Sequence, residues 1–239
     1  VYQNLDVVFG GGEKFLLKSG RKDGNDMYEL LKDKGYSIVR TKEEFEKIKN
    51  GKVWGIFTNA DMSYEIDRDA KEPSLSEMTK KAIEILSKNP NGFVLMVEGS
   101  KVDWAAHANN PATIVREIKA FDDAVGIALS YAKLNNKTLL ISSSDHGNSG
   151  ISIGNKSTSG NYPQIPLDEF VSTIRNVNMG EEKLSKLIFE DISKTEELIT
   201  KHLGFKPTKE EISRINEVVN TFDKTKTDYF GEIMYLKAW

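Results

Sequence analysis

The stretch Phe93-Val94-Leu95-Met96-Val97-Glu98-Gly99-Ser100-Lys101-Val102-Asp103-Trp104-Ala105-Ala106-His107 carries the decisive pattern. Five apolar residues in a row, β-branched and aromatic among them, are the length and chemistry of a strand covered on both faces. The run ends at an acid, then a glycine, where open α/β sheets present ligand-binding groups. Asp103 and His107 follow, four residues apart. On a helix that spacing puts both side chains on one face, about one turn from each other.

Working outward, the same punctuation recurs. Apolar runs at residues 6–9, 37–40, 53–57 and 138–143 are strand candidates. Amphipathic stretches alternate with them. Residues 25–34 form one, and Thr41-Lys42-Glu43-Glu44 is a capping box opening a second, because the Thr hydroxyl and the Glu three residues on satisfy free helix-start amides. Residues 74–88 place Leu75, Met78, Ala82, Ile85 and Leu86 on one face. Pro111 fits a first helical turn, and the pattern continues through Ile114, Ile118, Phe121, Val125 and Leu129. Strands alternating with helices predict an α/β fold, a three-layer αβα sandwich with a mainly parallel central sheet. Beyond about Asn161 the strands fade. Polar amphipathic helices around 181–202 and 208–221 are separated by Gly204 and Pro207. The expected division is therefore an α/β part at 1–160 and a helical appendage at 161–239.

Composition narrows the function. The 239 residues carry 33 basic and 36 acidic side chains, a net charge of −3, with no cysteine and three histidines. The charges are interspersed, so no basic stripe marks a nucleic-acid partner. No apolar run approaches the roughly 18 residues of a membrane span. The N-terminus has neither the basic nor the apolar region of a signal peptide. Without thiolates, any metal site must use Asp, Glu and His.

Two clusters have that chemistry. One is Glu98, Asp103 and His107. A carboxylate and an imidazole one helical turn apart suit a zinc ligand pair, and equally an ion pair on a helix surface. The other is Ser143-Ser144-Asp145-His146-Gly147, where a strand runs into an Asp-His pair. At a strand's end these side chains can converge on a site, or simply cap a turn. Together the donors suit zinc or magnesium, not copper or iron–sulfur. Gly10-Gly11-Gly12 lacks phosphate-loop spacing and predicts a tight strand-to-helix turn. His202 ends a polar helix before Gly204 and there complements the helix dipole.

At these residues the chain resembles alkaline phosphatases. Val97-Glu98-Gly99-Ser100-Lys101-Val102-Asp103-Trp104-Ala105-Ala106-His107 is similar to that family's V-E-G-[GS]-x-[IV]-D-x-[AG]-x-H, and Ser143-Ser144-Asp145-His146 to its T/S-x-D-H. Val7 to Gly12, Gly55-Ile56-Phe57, Met62 to Glu65, Arg68-Asp69, Pro73 to Met78 and Phe121 to Ala124 recur in order, so the likeness spans residues 7–153. It implies hydrolysis of small-molecule phosphate monoesters, by phosphoryl transfer to a serine and then to water, with two zinc sites and one magnesium site. Glu98 corresponds to the magnesium carboxylate. Asp103 and His107 correspond to ligands of one zinc, and Asp145 and His146 to ligands of the other. Trp104 falls beside the substrate phosphate. A homodimer and a periplasmic or secreted location are implied in the same way.

The chain also departs from the family pattern. No D-S-[AS]-x-[TS] nucleophile segment and no G-H-T-G-like segment occurs in it. Thr58 stands where some relatives have a calcium-binding acid. The expectation is an incomplete phosphatase that is inactive alone. A related phosphodiesterase or sulfatase and a non-catalytic folded remnant are the rival readings.

Overall fold

The structure is a computed structural model describing residues 4–152, 160 and 162–221. Strands β1 (Val7–Gly10), β2 (Ser37–Val39) and β3 (Val53–Ile56) form a parallel sheet in the order β1-β3-β2. Val53 is paired with Val7 on one side and Ser37 on the other. Helices α1 (Met27–Asp33), α2 (Lys42–Lys47), α3 (Leu75–Leu86), α4 (Ser100–His107), α5 (Pro111–Leu134), α6 (Leu167–Asn176), α7 (Glu181–Glu190), α8 (Thr195–Leu203) and α9 (Lys209–Thr221) complete the described elements. The alternation is that of an α/β fold with a mainly parallel sheet.

The chain divides into two compact units. One comprises Val1–Gly99 with Ile118–Ser144, the other Ser100–Glu117 with Asp145–Trp239. The first is organised by Val39, Phe45, Val53 and Ile85, all buried, with Val7, Phe9, Ile48, Phe57 and Met78 against them. Phe45 meets both Phe9 and Phe57 edge-on, at 5.2 and 5.5 Å between ring centres, an arrangement favoured by the ring quadrupoles. Helix starts are fixed locally. Thr41 and Glu44 form the expected capping box on α2, and Ser74 and Glu77 form another on α3. Glu77 also takes an ion pair from Lys42 at 2.7 Å, tying the first turns of the two helices together.

Gly10-Gly11-Gly12 makes the tight turn the sequence predicts. The amides of Gly12 and Glu13 both donate to the Thr58 carbonyl at 3.1 Å. A Cβ on Gly11 would sit 2.3 Å from the Ala60 carbonyl oxygen. The turn is thus packed against its neighbour loop, and backbone approach explains the glycine there. Thr58 is committed to this junction, with its hydroxyl donating to the Ala60 carbonyl at 3.1 Å.

The second unit is helical. Met179, Leu184, Ile188, Ile199 and Ile215 form its core. Asn110 caps α5 by accepting from the Thr113 amide at 3.0 Å, and its own amide donates to Glu181 at 2.5 Å. Thr113 donates to the same carboxylate at 3.1 Å. The start of α5 is therefore pinned to the start of α7. The amphipathic stretch at 181–202 is broken in the structure. Asp191 accepts from the Ser193 amide and hydroxyl, ending α7 and starting a new turn. His202 sits in the last turn of α8, ahead of Gly204 in the left-handed region at φ 78°, as the sequence predicts. Helix α6 was not evident from periodicity.

The stretches 93–98 and 138–143 depart from expectation. Both read as strands, yet neither carries ladder hydrogen bonds among the described residues. Exposure alternates through 93–98 and 138–141, so the period of a strand is present, and what is missing among the described residues is a strand to pair with.

Glu44 and Glu77 give the fold an acid sensitivity. Backbone amides of Arg40 and Thr41 hold the Glu44 carboxyl below the ordinary range. For Glu77, burial pushes up, but Lys42 and the Ser74 amide outweigh it and leave the carboxyl lowered. Depressed carboxyls stabilise above their unfolded-state pKa and lose that contribution as pH falls through the folded value. Urea unfolding should therefore show stability declining as pH drops below about 4.5, and less steeply in Glu77→Gln. At neutral pH that variant should be about 0.5 kcal/mol less stable through loss of the ion pair with Lys42, since glutamine keeps the capping hydrogen bond.

Candidate metal centre

Asp103 and His107 lie on α4, and the helical spacing does what the sequence implies. His107 Nε2 stands 3.5 Å from Asp103 Oδ1. The segment after residue 144 comes to the same carboxylate. His146 Nε2 is 3.8 Å from Asp103 Oδ1 and 3.6 Å from Asp145 Oδ2. Two sequence clusters separated by some forty residues thus converge within the second unit.

The convergence is held by residues that sequence reading passed over. Asn148 donates its side-chain amide to Asp103 Oδ1 at 2.7 Å, with a longer approach to the Asp103 carbonyl at 3.4 Å. Asn109, just past α4 at φ 54°, accepts from the Gly150 amide at 2.9 Å and the Ser149 hydroxyl at 3.4 Å. The loop 145–150 is therefore laced to α4 by two asparagines, at Asp103 in its first turn and at Asn109 just past its C-terminal end. A short polar run such as Gly-Asn-Ser-Gly reads as turn chemistry, which is why its second role was not visible. Lys101, also on α4, is buried, with its ammonium 3.9 Å from the centre of the Trp104 ring. This cation–π contact restrains the indole.

Glu98 stands apart from this description. It ends the stretch 93–98 in the first unit and is exposed. The structure brings His107 and His146 to Asp103, while Asp145, 89% exposed, meets His146, its neighbour in sequence.

The donor set is carboxylate and imidazole, which zinc accepts. Atoms bonded at about 2.0–2.1 Å to a tetrahedral ion lie about 3.3–3.4 Å apart by simple geometry. The separations of 3.5, 3.6 and 3.8 Å are a few tenths of an ångström longer. The pairs are close to ligand spacing, but no set of three or more such groups is gathered around one point among the described residues. The residues fit a divalent cation in kind and near-spacing, without a closed coordination shell.

The chain matches the alkaline phosphatase family over residues 1–229 and belongs to it. It is 36% identical over 222 residues to Alkaline phosphatase 4 of Bacillus subtilis, a match covering 93% of this chain and 45% of that protein. It is 36% identical over 186 residues to the repressible alkaline phosphatase of Saccharomyces cerevisiae, covering 67% and 33%. Among solved structures, the alkaline phosphatase of Thermus thermophilus superposes with a TM-score of 0.80 at 26% identity, over 97% of this chain and 50% of that one. The chain thus spans half or less of the length of these relatives.

Exposed ion pairs contribute little to stability, and side chains here are 39% exposed at Asp103, 56% at His107 and 55% at His146. Asp103→Asn should accordingly change unfolding free energy by less than about 1 kcal/mol in urea titration. A loss well beyond that would show the cluster to be part of the fold's scaffold.

Proposed function

We propose that this chain supplies the metal-binding part of a phosphate monoester hydrolase. The single observation that carries the reading is the convergence of His107 and His146 on one carboxylate oxygen of Asp103, in a chain of the alkaline phosphatase family. Residues 1–160 would form the metal-binding α/β part and 161–239 the helical appendage.

Asp103 and His107 would hold one zinc ion, and Asp145 and His146 a second. Glu98 would serve a magnesium ion. A variant of the alkaline phosphatase from the Antarctic bacterium TAB5 is described with Mg bound in its M3 site, at 34% identity and a TM-score of 0.50 over 55% of this chain, which supports the magnesium assignment. Bound cations would stabilise attacking and leaving oxygens of the phosphoryl group and lower the pKa of a nucleophilic oxygen.

The chain's own residues set the stage for this. Asn148 donates to Asp103 Oδ1 and so orients the carboxylate, the outer-shell role that keeps a ligand aimed. Trp104, steadied by Lys101, offers an apolar face beside the ligands, where it would shape contacts to the ester. Removing a doubly charged phosphate depends on positioned positive charge above all. These 239 residues contain no Asp-Ser nucleophile segment of the family type. The chain alone should therefore bind metal weakly and hydrolyse phosphate esters negligibly. Activity of the whole protein, a homodimeric state and a periplasmic or secreted location belong to the same proposal.

Cobalt titration followed by visible absorption tests this reading. A ligand-field band should develop with the unaltered chain. It should be at least about tenfold weaker in affinity for Asp103→Asn and His146→Ala, the usual scale of losing a metal ligand or its support. Equal binding by all three proteins would overturn the metal assignment. Hydrolysis of p-nitrophenyl phosphate by the chain alone at ordinary enzyme turnover, about 1 per second or more, would overturn the predicted inactivity.

A further inference from the structure

Left-handed backbone is uncommon on residues other than glycine, because the Cβ crowds the carbonyl oxygen that follows. Among the described residues three adopt it: Asn4 at φ 52°, Asn109 at φ 54° and Ser149 at φ 79°. The last two meet each other. The side-chain oxygen of Asn109 accepts from the Ser149 hydroxyl at 3.4 Å and from the Gly150 amide at 2.9 Å. The Ser149 hydroxyl oxygen in turn accepts from the Ile151 amide at 3.0 Å. Asparagine tolerates this region, since its short side chain bonds locally. Serine does so less readily, and such a conformation persists only where its surroundings over-determine it. Here two consecutive donors of the loop, at Ser149 and Gly150, address one oxygen of Asn109.

This junction lies next to both histidines of the cluster in sequence. Asn109 follows His107 by two residues, and Ser149 follows His146 by three. The Asn109 amide also approaches the His107 carbonyl, at 3.5 Å. One residue before Ser149, Asn148 donates to Asp103 Oδ1 at 2.7 Å. Residues 148–150 thus run alongside α4, from its first turn to just past its end. A loop tied at one point can swivel about that tie. A second tie, to a different point on a rigid helix, removes the rotation.

We infer that Asn109 is a positioning residue for the candidate metal centre: its bonds to Ser149 and Gly150 set the direction in which His146 faces Asp103. Asn109 acts through the loop and is not itself a ligand. What the position is used for rests on the metal-binding reading above, whereas the position itself is a property of the chain without an ion.

Two substitutions separate side chain from backbone. Asn109→Gly accommodates the left-handed conformation and removes the acceptor. Asn109→Asp keeps an acceptor oxygen in its place. Nuclear magnetic resonance on the metal-free 239-residue protein reads the position directly, since the chain has only three histidines. His202, bonded to Asn178 at 2.7 Å, serves as the internal reference for an intact fold. Asn109→Gly should move the ring-proton signals of His146, leave those of His202 in place, and speed exchange of the Gly150 amide at least about tenfold, as for a bond opened locally. Asn109→Asp should restore the slow Gly150 exchange. Cobalt titration then reads the use of the position. Affinity should be at least about tenfold weaker in Asn109→Gly than in the unaltered chain and should recover in Asn109→Asp, the scale of an outer-shell partner lost and regained. Unmoved His146 signals in Asn109→Gly would sink the inference. So would equal cobalt affinity in the unaltered chain and Asn109→Gly, or no recovery in Asn109→Asp. If the unaltered chain takes up no cobalt, the metal reading fails by itself, and the His146 and Gly150 signals alone decide whether Asn109 positions the loop.

Discussion

The carboxylate of Asp103 is the point on which the site turns. Two imidazoles and one side-chain amide address it, and two of these three partners, His146 and Asn148, come from the loop 145–150. A carboxylate has about four lone-pair directions and accepts several donors at once. That capacity lets one acid on a rigid helix gather a loop that has no regular structure of its own. The Asn148 bond holds the middle of the loop, while the Asn109 contacts hold its far end. The helix supplies rigidity and the asparagines supply direction, the usual division between scaffold and ligand-bearing loop.

This arrangement explains how a site can be assembled yet not closed. Pairs of carboxylate and imidazole near metal spacing are present at 3.5 to 3.8 Å, but no three such groups surround one point among the described residues. The exposure of these side chains keeps their interaction weak in water. Their placement is therefore inexpensive to the fold and adjustable by an ion. The same exposure separates binding from stability. Substitutions here should act on the ligand, while substitutions at Asn110, Thr113 or Glu181, which fasten α5 to α7 through a buried carboxylate, should act on the fold.

Legibility in the sequence followed the range of the interactions. The capping box at Thr41, the first helical turn at Pro111, the glycine turn after β1 and the end of α8 were all readable, because each depends on residues within four positions. The Asp103–His107 pairing was readable for the same reason. The meeting of α4 with the loop at 145–150 was suggested only by composition and by likeness to a family, since a contact across some forty residues leaves no local pattern. Asn109 and Asn148 left even less, because turn chemistry and ligand support use the same residue type. Helix α6 escaped because Leu167–Asn176 is short and begins after a proline with no capping side chain.

The strands at 93–98 and 138–143 show a different limit. Their local code is as strong as that of Val53–Ile56, yet only the latter is paired. Propensity states what backbone a segment prefers, whereas a ladder needs a second segment in register. Val53–Ile56 has one on each side. The other two have apolar flanks and no neighbour among the described residues. Glu98 ends one of these stretches and Asp145 follows the other by sequence, so the direction of each acid depends on the backbone just before it. A strand held by hydrogen bonds on its edge fixes that backbone to within the tolerance a metal ligand requires, which an unpaired one does not.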